Sequence, residues 1–146
     1  MAAEREGPLH WPSLQPEESR DEWAALRAWV DHLTRRFPLS ARVIPPCWFR
    51  HEHLVEVLAA LRDYERACFQ HRASPASAFD FIRTLREAEH LLTDWTSRTG
   101  CTAGDHHETT VRDVTVDDDD WQSIVEADWV YRRVIADRVD QVLDYK

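Results

Sequence analysis

The chain has 146 residues, 43% apolar and 31% charged, a length and balance that fit one soluble domain able to bury a core without staples. Its 27 acidic residues outweigh 18 basic ones for a net charge of −9, and residues 102–146 alone hold 12 acids against 5 bases. Duplex DNA binding needs cations that displace phosphate counterions and is not expected here, and no run of about 18 apolar residues offers a membrane span.

Residues 1–15 carry two prolines, one glycine and no apolar period; they read as a flexible lead-in from which Trp11 could dock on the core. A helical core domain is expected over 16–116. Trp23, Leu26, Val30, Leu33 and Phe37 recur at spacings of 3 and 4, one helical stripe. Glu17, Glu18, Asp21 and Glu22 stand where the helix dipole favours acid, Arg35 and Arg36 where it favours base, and Pro38 stops the run. The spacing predicts a helix over 17–36.

Residues 38–50, PLSARVIPPCWFR, hold three prolines and no period, so they read as an extended connector with Val43, Ile44, Trp48 and Phe49 anchored on the core. Leu54, Val57, Leu58, Leu61, Tyr64 and Cys68 predict a second helix over 51–70. Ser74 followed by Pro75 reads as an N-cap and a first helical proline. The third helix, over 76–97, carries Phe81, Ile82, Leu85, Ala88, Leu92 and Trp95, and Gly100 ends it.

Residues 100–116 form a loop in which Val111, Val114 and Val116 alternate like a short strand with no obvious partner, so the segment is taken as irregular. An acidic C-terminal helix is expected within 117–146, over 118–144, opened by Asp117 to Asp120. The fold class that follows is all-α: a single-domain bundle of about four helices with an irregular Cys/His loop before the last.

Little in this chain resembles a catalytic signature. Three glycines leave no phosphate loop, and neither a GxSxG elbow nor an HExxH helix occurs. His51-Glu52-His53 has the wrong spacing for two ligands on one helical face, and four consecutive aspartates at a helix start read as capping charge. The protein is therefore expected not to be an enzyme. Three cysteines, an odd number, weaken a disulfide framework and favour a reducing compartment. The N-terminal stretch lacks the basic and apolar regions of a secretory signal, so a cytoplasmic location is expected.

Two cysteines do lie at metal-like range from histidines. Cys47 precedes His51 at a helix start, and Cys101 precedes His106 in a glycine-flanked turn; if the pairs met they would supply the four donors of a zinc site. No Cys-x2-Cys knuckle accompanies them, so a hydrogen-bonded loop without metal is the competing reading. Cys68, on an apolar stripe, reads as a small buried hydrophobe.

The run PPCWFRHEHLVEVLAALRDYERAC has an aromatic pair, a histidine three residues after Trp48, and Leu58-x2-Leu61 ahead of Tyr64. With Gly100, Cys101 and His106 downstream, it resembles an uncharacterised small domain family of actinobacterial plasmids, integrative elements and phages. The likeness covers about residues 40–108. Tyr64 stands where that family carries Trp, Ser97-Arg98-Thr99 replaces a Gly-Pro-Phe, and the last helix lies outside the match. The family has no assigned activity. The resemblance implies a setting, a mobile element in a high-GC bacterium, and a joint role for Cys101 and His106.

The function expected from the residues is a non-enzymatic, acidic interaction or accessory protein. It would dock through its last helix on another protein or on a second copy of itself, using Trp121, Val125, Trp129 and Tyr131 with Asp118 and Asp119. The alternatives are a zinc-stabilised accessory domain in replication or transfer, and an acidic mimic of DNA that blocks a DNA-binding protein.

Overall fold

A proline in the first helical position and a glutamate three residues after Gln15 begin α1 (Pro16–Arg36), where the Glu18 carboxylate accepts from the Gln15 N–H at 2.8 Å. The other helices are α2 (Glu52–Cys68), α3 (Ser77–Thr99) and α4 (Asp118–Leu143). The computed structural model describes residues 5–109 and 114–144, and contains no strand among them. The fold is all-α, four helices with the Cys/His loop before the last, as the sequence led one to expect.

The chain divides into two units, Met1–Thr109 and Thr110–Lys146. In the first, α2 packs most extensively on α3 and also against α1. Leu26, Val30 and Leu33 of α1, Leu54, Val55, Leu58 and Leu61 of α2, and Phe81, Leu85 and Leu92 of α3 close the core. Each such side chain contributes roughly 1.5–3 kcal/mol when fully removed from water. Cys68 is buried among them, as its place on the stripe implied.

Two details differ from the sequence reading. Phe49 is 55% exposed while Val43, Ile44 and Trp48 are buried. Trp48 and Phe49 lie in a single 3-10 turn, Trp48–Arg50, whose three-residue period sends neighbours to different sides, so Trp48 inside puts Phe49 outside. The third helix starts at Ser77, because Ser74 spends its hydroxyl on the Ala76 N–H and its carbonyl on the Ser77 N–H in a turn ahead of the helix. The first unit runs to Thr109, whose hydroxyl bonds His51 at 2.6 Å.

The lead-in makes defined contacts from Arg5 onward. Arg5 pairs with Glu22 at 2.8 Å, the Leu9 N–H donates to Asp63 at 2.8 Å, and Trp11 stacks obliquely on Trp23 at 4.8 Å. Glu22 of α1 also pairs with the buried Arg62 of α2.

In the second unit Asp117 caps α4, its carboxylate accepting from the Asp120 N–H at 2.9 Å. No residue of α4 is buried. The alternation read at Val111, Val114 and Val116 lies partly outside the described residues, at Val111; residues 114–117 carry no regular structure.

Candidate metal centre

Two prolines and a 3-10 turn fix the first half of the site. Pro45 and Pro46 restrict the backbone ahead of Cys47, whose carbonyl accepts from the Arg50 N–H at 2.9 Å. His51 follows as the residue that begins α2: its carbonyl accepts from Leu54 and Val55, which anchors its backbone to the first turn. Its ring caps nothing, is 1% exposed, and brings Nε2 to 3.7 Å from Cys47 Sγ.

The second half is built by the turn after α3. Gly100 ends that helix with φ of 75°, a left-handed conformation that a residue with a Cβ adopts only at a cost. Thr102 then organises the reversal. Its hydroxyl accepts from Gly104 and Asp105, and its N–H donates to the Asp105 carbonyl at 2.9 Å. The chain is thereby sent back past Cys101, where the His107 N–H donates to Sγ at 3.2 Å and His106 Nδ1 stands 3.8 Å from the same sulfur.

The two halves, fifty residues apart in sequence, meet at Cys101 Sγ and His51 Nε2, 3.3 Å apart. Cys47, His51, Cys101 and His106 each offer one donor atom, and these atoms all lie within 4.8 Å of one another, an arrangement that can hold a metal ion. Cys101 and His51 are buried, Cys47 and His106 half-buried.

The imidazoles are held by their far nitrogens. His51 Nδ1 bonds Thr109 Oγ1 at 2.6 Å, and His106 Nε2 bonds Glu108 Oε1 at 2.9 Å. The Glu108 carboxylate can only accept, so it fixes His106 in the tautomer that leaves Nδ1 free as a donor to a metal, and the Thr109 bond holds the His51 ring in place, the usual role of outer partners in metal sites. Glu108 also accepts from Arg50 at 2.7 Å, so one carboxylate fastens the His106 turn to the His51 arm. Thr109, Glu108, Arg50 and the His107 amide carried no signal in the sequence, being ordinary polar groups until the fold puts them there.

The electrostatics suit a thiolate at Cys101 and a neutral imidazole at His51. Burial raises the Cys101 thiol, but hydrogen bonding by Thr99, the His107 amide and Cys47 outweighs it and carries the thiol below its ordinary value. Burial together with the neighbouring Cys101 holds Cys47 above its own. Burial, then the nearby His106 and His53, keep His51 lowered and hence neutral near pH 7. Glu108 is lowered, chiefly by its hydrogen bond from His106.

The other residues singled out from sequence lie on α4, outside this centre. Trp121, Val125, Trp129 and Tyr131 are 41–67% exposed, and Asp118 and Asp119 occupy the first turn. No protein-family model matches the chain, and neither the curated proteins nor the solved structures contain a match.

Proposed function

We propose that this protein is a non-catalytic helical module, stapled by a structural zinc ion, that works by docking on protein through α4. The observation that carries the reading is the closed donor set of Cys47, His51, Cys101 and His106. Structural zinc takes four protein ligands from cysteine and histidine, whereas catalytic zinc keeps a position open for water or substrate. Three of the donor separations, 3.3, 3.7 and 3.8 Å, bracket the edge of a zinc tetrahedron. That edge is about 3.6 Å for Zn–S and Zn–N bonds of about 2.3 and 2.1 Å. Two thiolates and two imidazoles also suit zinc better than hard cations, which prefer oxygen.

A metal that stabilises leaves the binding role to the surface, and α4 offers the aromatic and β-branched residues for it. The setting in keeping with the resemblance of residues 40–108 is a cytoplasmic accessory protein of a bacterial mobile element. Among the described residues no helix is long and apolar enough to cross a membrane.

Elemental analysis of the purified chain tests the zinc. About one zinc per chain is expected, falling to a small fraction for Cys101→Ser. Full retention of zinc by Cys101→Ser, or a chain that takes up none when refolded with the metal, would falsify the assignment.

A further inference from the structure

We infer that the docking partner of α4 is a second copy of α4, laid antiparallel about an axis opposite Val130. The inference rests on the docking reading and names its occupant; the metal centre plays no part in it.

The helix is 26 residues long with no buried residue, and helices in water owe most of their stability to a packed face. Its residues at alternating spacings of 4 and 3 run Trp121, Val125, Asp128, Arg132, Ile135, Val139, Val142, the seam of a two-stranded coiled coil. The seam is apolar at both ends and charged in the middle, where Asp128 and Arg132 already bond within the helix at 2.7 Å. Two charges in the centre of an apolar seam are costly to cover unless each meets an opposite charge.

Reversing one copy about Val130 supplies that. Asp128 falls opposite the second copy's Arg132, and Arg132 opposite its Asp128. The same operation sets Val125 opposite Ile135 and Trp121 opposite Val139, so every apolar residue within those layers meets another. Trp129 and Tyr131, just outside the seam, each face their own counterpart. The match is two-fold and self-complementary, the form a symmetric dimer requires. Val130 and Val134 lie on the far side of the helix from this seam and remain exposed as a patch of two valines, small enough for a soluble surface.

Charge also fixes the direction. Parallel helices would set Asp128 on Asp128 and Arg132 on Arg132, and would bring two Asp117–Asp120 clusters side by side. Antiparallel helices paired about Val130 separate those clusters by about 30–39 Å at 1.5 Å per residue. They also oppose the two helix dipoles.

Light scattering on the full chain is expected to give about twice the 17.2 kDa chain mass, falling to the single mass for Ile135→Glu with helical circular dichroism reduced by no more than the share of α4. Asp128→Arg alone should weaken the dimer at least tenfold, and adding Arg132→Asp should restore it, because the swapped pair is again complementary across the axis. Mixed chains carrying Val125→Cys and Ile135→Cys should cross-link to each other and not to themselves; homodisulfides at Val125→Cys would show parallel helices and overturn the geometry. A monomer at every concentration overturns self-pairing. In that case, fast hydrogen exchange along α4 leaves the docking reading standing with another protein, whereas slow exchange overturns both, since the face is then covered within the chain.

Discussion

Cys101 meets two imidazole nitrogens and a backbone N–H around one sulfur atom: His51 comes from the start of α2, His106 and His107 from the turn after α3. At the residue scale its local partner was legible: Cys101 and His106 lie five apart across a glycine-flanked turn, and they do face each other. The groups that orient the rings were not, because a glutamate and a threonine after two histidines look like any polar loop. Glu108 now has a checkable role. Replacing it by Gln removes the charge that holds both His106 and Arg50. Zinc affinity, measured by competition with a chromophoric chelator, should then fall on the order of tenfold, the usual cost of losing a metal ligand's outer partner. An unchanged affinity would mean the turn alone aims His106.

At the scale of elements, helix existence followed from periodicity and termini from prolines, capping charge and Gly100. What joins α1 to α2 did not. Arg62 falls between the apolar positions Leu61 and Tyr64 of α2 and was not read as a core residue, yet it is 7% exposed and paired with Glu22. Its Nε finds no partner among the described residues, so the cation depends on that carboxylate. Glu22→Gln should cost about 3 kcal/mol in denaturant melts, as removal of one partner from a buried pair does. Burial raises the Glu22 carboxyl, but Arg62 and then Arg5 outweigh it and hold the group below its ordinary value. A lowered folded pKa gives stability that is present in full above the unfolded value, about 4.3, and is lost as pH falls through the folded one. Unfolding free energy of the native chain should therefore drop below about pH 4.3 more steeply than that of Glu22→Gln. Parallel profiles for the two chains would show the pair contributes nothing.

For the molecule as a whole, the cluster of Cys47, His51, Cys101 and His106 joins the connector before α2 to the turn after α3. A zinc ion bound there stabilises the Met1–Thr109 unit in proportion to its occupancy. At free zinc 100-fold above its dissociation constant the gain is about 2.7 kcal/mol. Chelation should therefore lower the melting temperature on the order of 10 °C for a unit of this size. The loss should reverse on adding zinc back, and should be absent in Cys101→Ser. A chelator without effect on zinc-loaded protein would mean the staple does not contribute to stability.

What the sequence determined by itself was local. Apolar spacing decided four helices, proline and glycine decided where two of them stop, and Cys47 and Cys101 each declared a histidine four or five residues on. Those are short-range consequences of backbone geometry, and they needed no fold. The tertiary structure decided which distant groups share a volume. It turned Trp48 inward and Phe49 outward, buried Arg62 against α1, and brought Cys47 and His51 to Cys101 and His106 across fifty residues of chain. Such meetings depend on how α2 packs against α3, a sum of many core contacts that no single spacing encodes. Two local pairs were visible from the start; only packing made them one site.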